Sequence, residues 1–300
     1  MKLKILTDST SDLPIELVHK YDIQVMPLVV NIEDEEYLDG VTIQPAEVAA
    51  AIRAGKVPST TQITQARFQE TFQPLAEKNQ PCLYVAFSSK MSGTCQTGAM
   101  VLSQLAEQYP EWQAAVIDSR CGSLGQGMVV LEAARQVARG KPLHAVIEAV
   151  KQYASHMEHL FTVDDLHYLA RGGRVSQVSA VFGSLLSIKP VLHLADGQLL
   201  PIDKVRGTAK TYQRIVSLMQ ERGLALKEQR IGISHANDPE AAVHLEELIR
   251  ERLGCTEFLV NEIGGVIGAH IGVGGVAAFF QGREPNNPEI PVTTRGVPAT

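Results

Sequence analysis

The sequence predicts an α/β protein of two domains: a mainly parallel sheet flanked by helices in the N-terminal domain, then a second α/β domain. Three observations carry this. Strand-like and helix-like apolar patterns alternate from the first residues, as they do where parallel strands are joined by helical crossovers. At 300 residues the chain is long for a single core. Apolar residues at 45% and charged residues at 20% match ordinary globular proteins, so most of the chain is expected to fold.

Taken in order, LKILTD (residues 3–8) reads as a first strand, Pro14 to about Tyr21 as a helix, and IQVMPLVVNI (23–32) as a second strand. QARFQETFQPLAEK is then a helix, CLYVAF a strand, TCQTGAMVLSQLAEQY a helix, AAVIDS a strand and GQGMVVLEAARQVARG a helix. A helix from about Leu143 to Met157, rich in small and apolar residues, leads into the second domain, which begins near HLFTV (159–163). There KPVLHLADGQLLPIDKV reads as a hairpin, because Asp196-Gly197 is a strong two-residue turn signal. Helices are expected at Ala209 to Glu221 and Asp238 to Arg252, with strands QRIGIS and TEFLVNEI around the second. The boundaries are 1–157, 158–282 and a tail, 283–300, whose four prolines and few apolar residues predict mobility.

A net charge of −6 with dispersed Lys and Arg argues against nucleic acid as a partner. Cys82, Cys95, Cys121 and Cys255 show no CxxC pairing and no histidine at ligand spacing, which excludes the usual zinc and disulfide patterns and fits a reducing cytoplasm. The N-terminal apolar run is too short for a signal peptide. IGGVIGAHIGVGGVAAFF (263–280) lacks formal charge, but its six glycines and one histidine argue against a membrane span; it reads as a glycine-rich turn followed by a buried strand. No P-loop is present.

Several hydroxyl-rich or glycine-rich stretches could carry chemistry. In TDSTSDLP (7–14), Ser11 or Asp12 would cap a helix with Pro14 in its first turn; a phosphotransfer role for Asp8 lacks the second carboxylate at Thr10. In PSTTQ (58–62), Thr60 or Thr61 reads as a helix cap or as one arm of an anion site made from helix N-termini. In FSSKMSGT (87–94), Ser92 is either a cap or the second arm, with Gly93 allowing close backbone approach to a ligand. The G-x-S-x-G elbow of a serine hydrolase is not met there. Arg171-Gly172-Gly173-Arg174 reads as a helix end or as arginines facing an anion. His270, isolated among glycines and aliphatics, is a core residue or the edge of an apolar slot.

In this order TDSTSDL, PSTTQ, SSKMSGT, the DS of Asp118-Ser119, GQG, DDLHYLARGGRV, SIKPVL and VIGAHIGVG resemble the DegV family of bacterial fatty-acid-binding proteins, over about Leu3 to Phe280. The resemblance implies a two-domain α/β carrier that encloses one long-chain fatty acid such as palmitate or oleate. It further implies that the carrier can present the carboxylate to a separate fatty-acid kinase. It places the carboxylate-binding threonine at Thr60 or Thr61, the binding serine at Ser92 with Gly93 and Thr94 adjacent, the histidine at His270 and the headgroup arginine at Arg174. TTQ stands where the family commonly has TSQ, and GVG where it often has GPG. The expected ligand is thus the lipid alone, with no metal, no further cofactor and no catalysis by this chain. Rival readings are an esterase or acyl-transfer enzyme using Ser92 with His270, and a ligand-sensing module. Burying a tail of about sixteen carbons at roughly 0.8 kcal/mol per CH₂ contributes on the order of 12 kcal/mol gross, against about 1.5 to 3 for a hydrogen bond to a charged group. The tail would set affinity and the hydroxyls orientation.

Overall fold

The structure, a computed structural model, describes residues 1–173 and 188–297. Strand β1 (Lys4–Asp8) runs into a 3₁₀ turn (Ser9–Ser11), helix α1 (Ile15–Tyr21) and strand β2 (Gln24–Met26). Next come β3 (Val29–Ile32), β4 (Glu35–Leu38), α2 (Pro45–Arg53), β5 (Ser59–Thr61), α3 (Gln65–Glu77) and β6 (Cys82–Ala86). The first half closes with α4 (Thr94–Gln108), β7 (Ala114–Asp118), α5 (Ser123–Ala138) and α6 (Leu143–Ser155). The second holds β8 (Met157–Thr162), α7 (Leu166–Arg171), β9 (Ile188–Ala195), β10 (Gln198–Arg206), α8 (Thr208–Arg222) and β11 (Ile231–His235). It ends with α9 (Pro239–Leu253), β12 (Phe258–Glu262), α10 (Gly265–Ile271), β13 (Val276–Gln281) and β14 (Val292–Arg295).

Two large sheets and a small one result. The first has the order β14-β7-β6-β1-β2, with β7, β6, β1 and β2 parallel and β14 antiparallel at the edge. The second, β10-β9-β8-β13-β11-β12, is antiparallel except for β11 beside β12. The third is the short antiparallel set β4-β3-β5. Helix α5 lies between the two large sheets and is buried along most of its length, which explains why its sequence lacks a polar face. Leu83, Val85 and Ile117 of the first sheet meet α5 from one side, and Ala277 and Phe279 of the second from the other. Helices α3 and α4 cover the outer face of the first sheet through Phe68, Phe72, Leu102 and Leu105, and α8 and α9 cover that of the second.

The α/β architecture matches the sequence expectation; several details differ. IQVMPLVVNI is two strands in two sheets, because Pro27, which has no N–H to give a ladder, ends β2. Helix α2 was not among the expected elements, although Pro45 opens it and the Glu47 carboxylate accepts the Gln44 N–H at 2.8 Å. No side chain caps α1, whose N-cap position is Pro14, so neither Ser11 nor Asp12 plays that part. The tail expected to be mobile instead carries β14 on the open edge of β7, with Ile290 in the core. The hairpin at Asp196-Gly197 forms as expected, with φ of 47° and 73° at its two turn residues. Its outer strand, β10, shifts register between Pro201 and Asp203, which blunts an exposed edge.

Candidate functional site

In the first sheet the strand order reverses between β1 and β6, and ligands of such sheets sit beyond the carboxyl ends of the strands at that point. Asp8, at the end of β1, is fully buried there. One of its oxygens accepts from the backbone N–H of Thr10 at 3.2 Å, from Gln126 Nε2 at 3.2 Å and from the Thr10 hydroxyl. The other accepts from the Tyr84 hydroxyl at 2.7 Å and the Phe87 N–H at 3.0 Å. Five donors thus occupy both oxygens, so Asp8 is a structural hub that ties TDST, GQG and the loop after β6 together.

That loop, 87–93, continues as a set of satisfied amides: Ser89 N–H donates to Asp118 Oδ1 at 3.0 Å and Ser88 N–H to the Cys121 carbonyl at 3.0 Å. Ser92 and Thr94 hydroxyls are 2.9 Å apart, and Thr94 N–H donates to Ser92 Oγ at 3.3 Å, so Ser92 takes up the first amide of α4 from one residue before its N-cap, Gly93. Thr94 itself is buried behind Ser92.

Thr60 and Thr61 lie on strand β5, away from the helix start where the sequence had placed them; Thr64 caps α3 instead, accepting from Arg67 N–H at 3.4 Å. Thr61 Oγ1 accepts from Asn31 Nδ2 at 3.0 Å, which anchors β5 to β3. Thr60 Oγ1 is hydrogen-bonded to His270 Nε2 at 2.7 Å. His270 stands on helix α10, where a turn had been expected. Buried carboxylates hold the start of that helix: Asp12 Oδ1 accepts Gly264 N–H at 2.9 Å and Asp39 Oδ1 accepts Gly265 N–H at 2.9 Å. Burial pushes the pKa of both carboxyls up, against hydrogen bonds that favour the charged form. At the other end of α10, a Cβ on Gly172 would meet His270 Nδ1, so the glycine after α7 is what lets the imidazole in.

These elements enclose one cavity of about 570 Å³, within the range of small-molecule sites. Its rim carries Thr60, Thr61, Gln62, Ser92, Gly93 and His270. Its walls are apolar, with Phe87, Leu194, Leu199, Val266 and Ile267, and its depth is formed by Phe161, Ala277, Phe279 and His159 from the second sheet. Thr61 and Gln62 are exposed whereas His159 and Phe279 are buried, so the slot runs from an exposed polar mouth to a buried interior. His159 Nε2 accepts Gly122 N–H at 3.3 Å, and burial pushes the imidazole pKa down to about 4, so it is neutral at pH 7.

The structure therefore brings together Thr60, Thr61, Ser92, Gly93 and His270, which the sequence had scattered over more than two hundred positions. Arg174 lies outside the described residues. Gln62, His159, Leu194 and Leu199 were missed: Gln62 was visible inside PSTTQ, while the others carry no local signal. A nucleophilic Ser92 would need an imidazole beside it, yet His270 Nε2 is bonded to Thr60, and the Ser92 hydroxyl to Thr94. Among the described residues, no group of three His, Cys, Asp or Glu is placed to hold a metal ion. The arrangement suits an amphiphile: neutral hydroxyls, an amide and an imidazole at an exposed mouth, hydrocarbon-lined space below.

Comparison with known proteins gives a consistent set of relatives. A family model described as "Uncharacterised protein, DegV family" matches residues 2–283. A DegV domain-containing protein of Clostridium perfringens is 38% identical over 95% of this chain and 99% of its own. One from Caldanaerobacter subterraneus is 35% identical over 93% and 99%. Among solved structures, a DegV family protein from Thermus thermophilus, described by its fatty acid binding, superposes with a TM-score of 0.85 at 32% identity, covering 94% of this chain and 100% of that one. DegV of Bacillus subtilis, described as a fatty acid binding protein, does so with a TM-score of 0.80 at 27% identity over 93% and 98%.

Proposed function

The chain belongs to the DegV family, and from that premise we propose that it is a carrier for one long-chain fatty acid. The observation that carries this reading is the slot with hydroxyls and an imidazole at its mouth and mainly aromatic and aliphatic side chains lining it behind them. The carboxylate is bound by Ser92 and by Thr60, the threonine already facing His270, with Thr61 and the Gly93 backbone beside them and Thr94 steadying the Ser92 hydroxyl. Arg174, the family's headgroup arginine, completes the set in this proposal. The acyl chain runs inward past Phe87 and the Leu194–Leu199 hairpin toward Phe161 and Phe279. Since each CH₂ contributes roughly 0.8 kcal/mol, the slot holds the tail tightly while neutral donors suffice for the head.

A half-exposed mouth leaves the headgroup within reach of a second protein, which fits presentation to a fatty-acid kinase that supplies nucleotide and metal. In this reading the chain itself performs no catalysis. Cys82, Cys95, Cys121 and Cys255 are all free and buried, which suits a reducing cytoplasm as the place of work. No helix among the described residues is long and apolar enough to cross a membrane.

Mass spectrometry of an organic extract of the purified protein should show a long-chain fatty acid, and protein stripped of lipid should take up palmitate or oleate. Ser92→Ala and Thr60→Ala should each weaken palmitate binding by about 1.5 to 3 kcal/mol, as loss of a hydrogen bond to a charged group does. An empty extract together with no uptake of either acid defeats the reading.

A further inference from the structure

Gly93 stands in the mouth of the slot for a reason its backbone does not supply. Its φ of −74° and ψ of −1° are helical values open to any residue. A Cβ at this position, however, would overlap Oε1 of Gln62. The side chain that fills the space left by the missing Cβ is thus Gln62, which arrives from the far side of the mouth, one residue beyond β5. Gln62 Nε2 donates to Thr97 Oγ1 at 3.1 Å, and that hydroxyl donates in turn to the Gly93 carbonyl at 3.1 Å. Gln62 therefore spans from the end of β5 to the first turn of α4, lying over Gly93 and tied to Thr97.

We propose that Gln62 is a positioning residue that sets the separation between the two hydroxyl-bearing sides of the mouth, Thr60 and Thr61 on β5 and Ser92 before α4, and so fits the mouth to a headgroup with two oxygens. The proposal rests on the fatty-acid reading. A carboxylate can be gripped from both sides at once, each oxygen by one side. A primary alcohol of the same chain length offers a single oxygen and needs only one side. Spacing therefore matters for the acid and little for the alcohol. It also follows that Gly93 is required only while Gln62 is present, because the sole bar to a Cβ is the glutamine's own amide. Gln62 is exposed and its amide is the far end of a flexible side chain, so displacing it costs the fold little.

The test measures binding of palmitate and of hexadecanol, by competition with a fluorescent fatty acid, to wild type, Gln62→Ala, Gly93→Ala and the double variant. Both single variants are expected to lower the preference for the acid over the alcohol by about tenfold, the scale of one hydrogen bond to a charged group. Melting temperature should stay at the wild-type value, hexadecanol affinity should fall far less than palmitate affinity, and the double variant should be no worse than either single. An unchanged acid-to-alcohol preference in the single variants, or losses that add in the double, overturns the positioning role while palmitate binding by wild type stands. A wild type that takes up no palmitate instead removes the fatty-acid reading on which the proposal rests.

Discussion

Burial keeps the His159 imidazole neutral on the slot's floor, and this has a measurable cost in acid. Free imidazole protonates near pH 6.5, whereas in the folded protein the ring resists until its pKa of about 4. Between those values the unfolded chain binds the extra proton, so stability from this residue is complete above pH 6.5 and declines as pH falls toward 4. At pH 5 the decline is about 2 kcal/mol, from 1.36 kcal/mol per pH unit. His193, whose pKa burial and Arg222 push down to about 4, acts in the same direction. Asp12 and Asp39, pushed up by burial, act in the opposite one. Urea denaturation of wild type and His159→Leu at pH 7 and pH 5 separates these: the variant should lose about 2 kcal/mol less on acidification, and parallel losses would refute the assignment. The same comparison shows what single residues reveal in sequence. Ser92, Thr60 and His270 were legible because hydroxyls crowd their stretches or glycines isolate them. His159 was not, since HLFTV reads only as a strand, and its role is set by Gly122 and Phe279, which reach it from distant segments.

The β9–β10 hairpin forms one wall of the slot through Leu194 and Leu199, and its tip is fastened to the first half of the chain. Ser88, fully buried, donates its hydroxyl to the Gly197 carbonyl at 2.8 Å, and Arg120 Nη1 donates to the Asp196 carbonyl at 3.3 Å. Gly197 sits at φ 73°, and a Cβ there would overlap the Ser88 hydroxyl. Gly197→Ala should therefore destabilise the protein by about 1 to 3 kcal/mol and speed amide exchange in β9 and β10; full wild-type protection of those amides would contradict the fastening. This turn was legible because a type I′ turn is a local matter of two residues tolerating positive φ. Helix α10 was not: its glycines disfavour a helix locally. It forms because Asp12 and Asp39 hold its first amides and because Val266 and Ala269 pack into the core beside Val48 of α2. Strand β5 was likewise hidden, since three residues whose pairing partner is β3 show no period of their own.

For the molecule as a whole, the segment after Gly282 is a brace. Asn287 accepts the Gly197 N–H at 3.2 Å and donates to the Ala154 carbonyl at 3.2 Å, Asn286 donates to the Met157 carbonyl at 3.3 Å, and β14 then crosses to the first sheet. A chain ending at Gly282 should melt at a lower temperature and bind palmitate more weakly, because the hairpin wall loses an anchor; thermal denaturation with and without the ligand reads both, and unchanged melting would contradict the brace. Proline count made this segment look mobile, yet proline is compatible with an edge strand, and its contacts lie with residues that no local pattern could name. Proteins are made from the amino end, so β7, complete at Asp118, must wait for a neighbour that begins only at Val292. Until then the nascent chain leaves the ribosome with an unfinished ribbon, open to stray strands and to chaperones alike. A chain stopped before Val292 would leave that ribbon permanently incomplete.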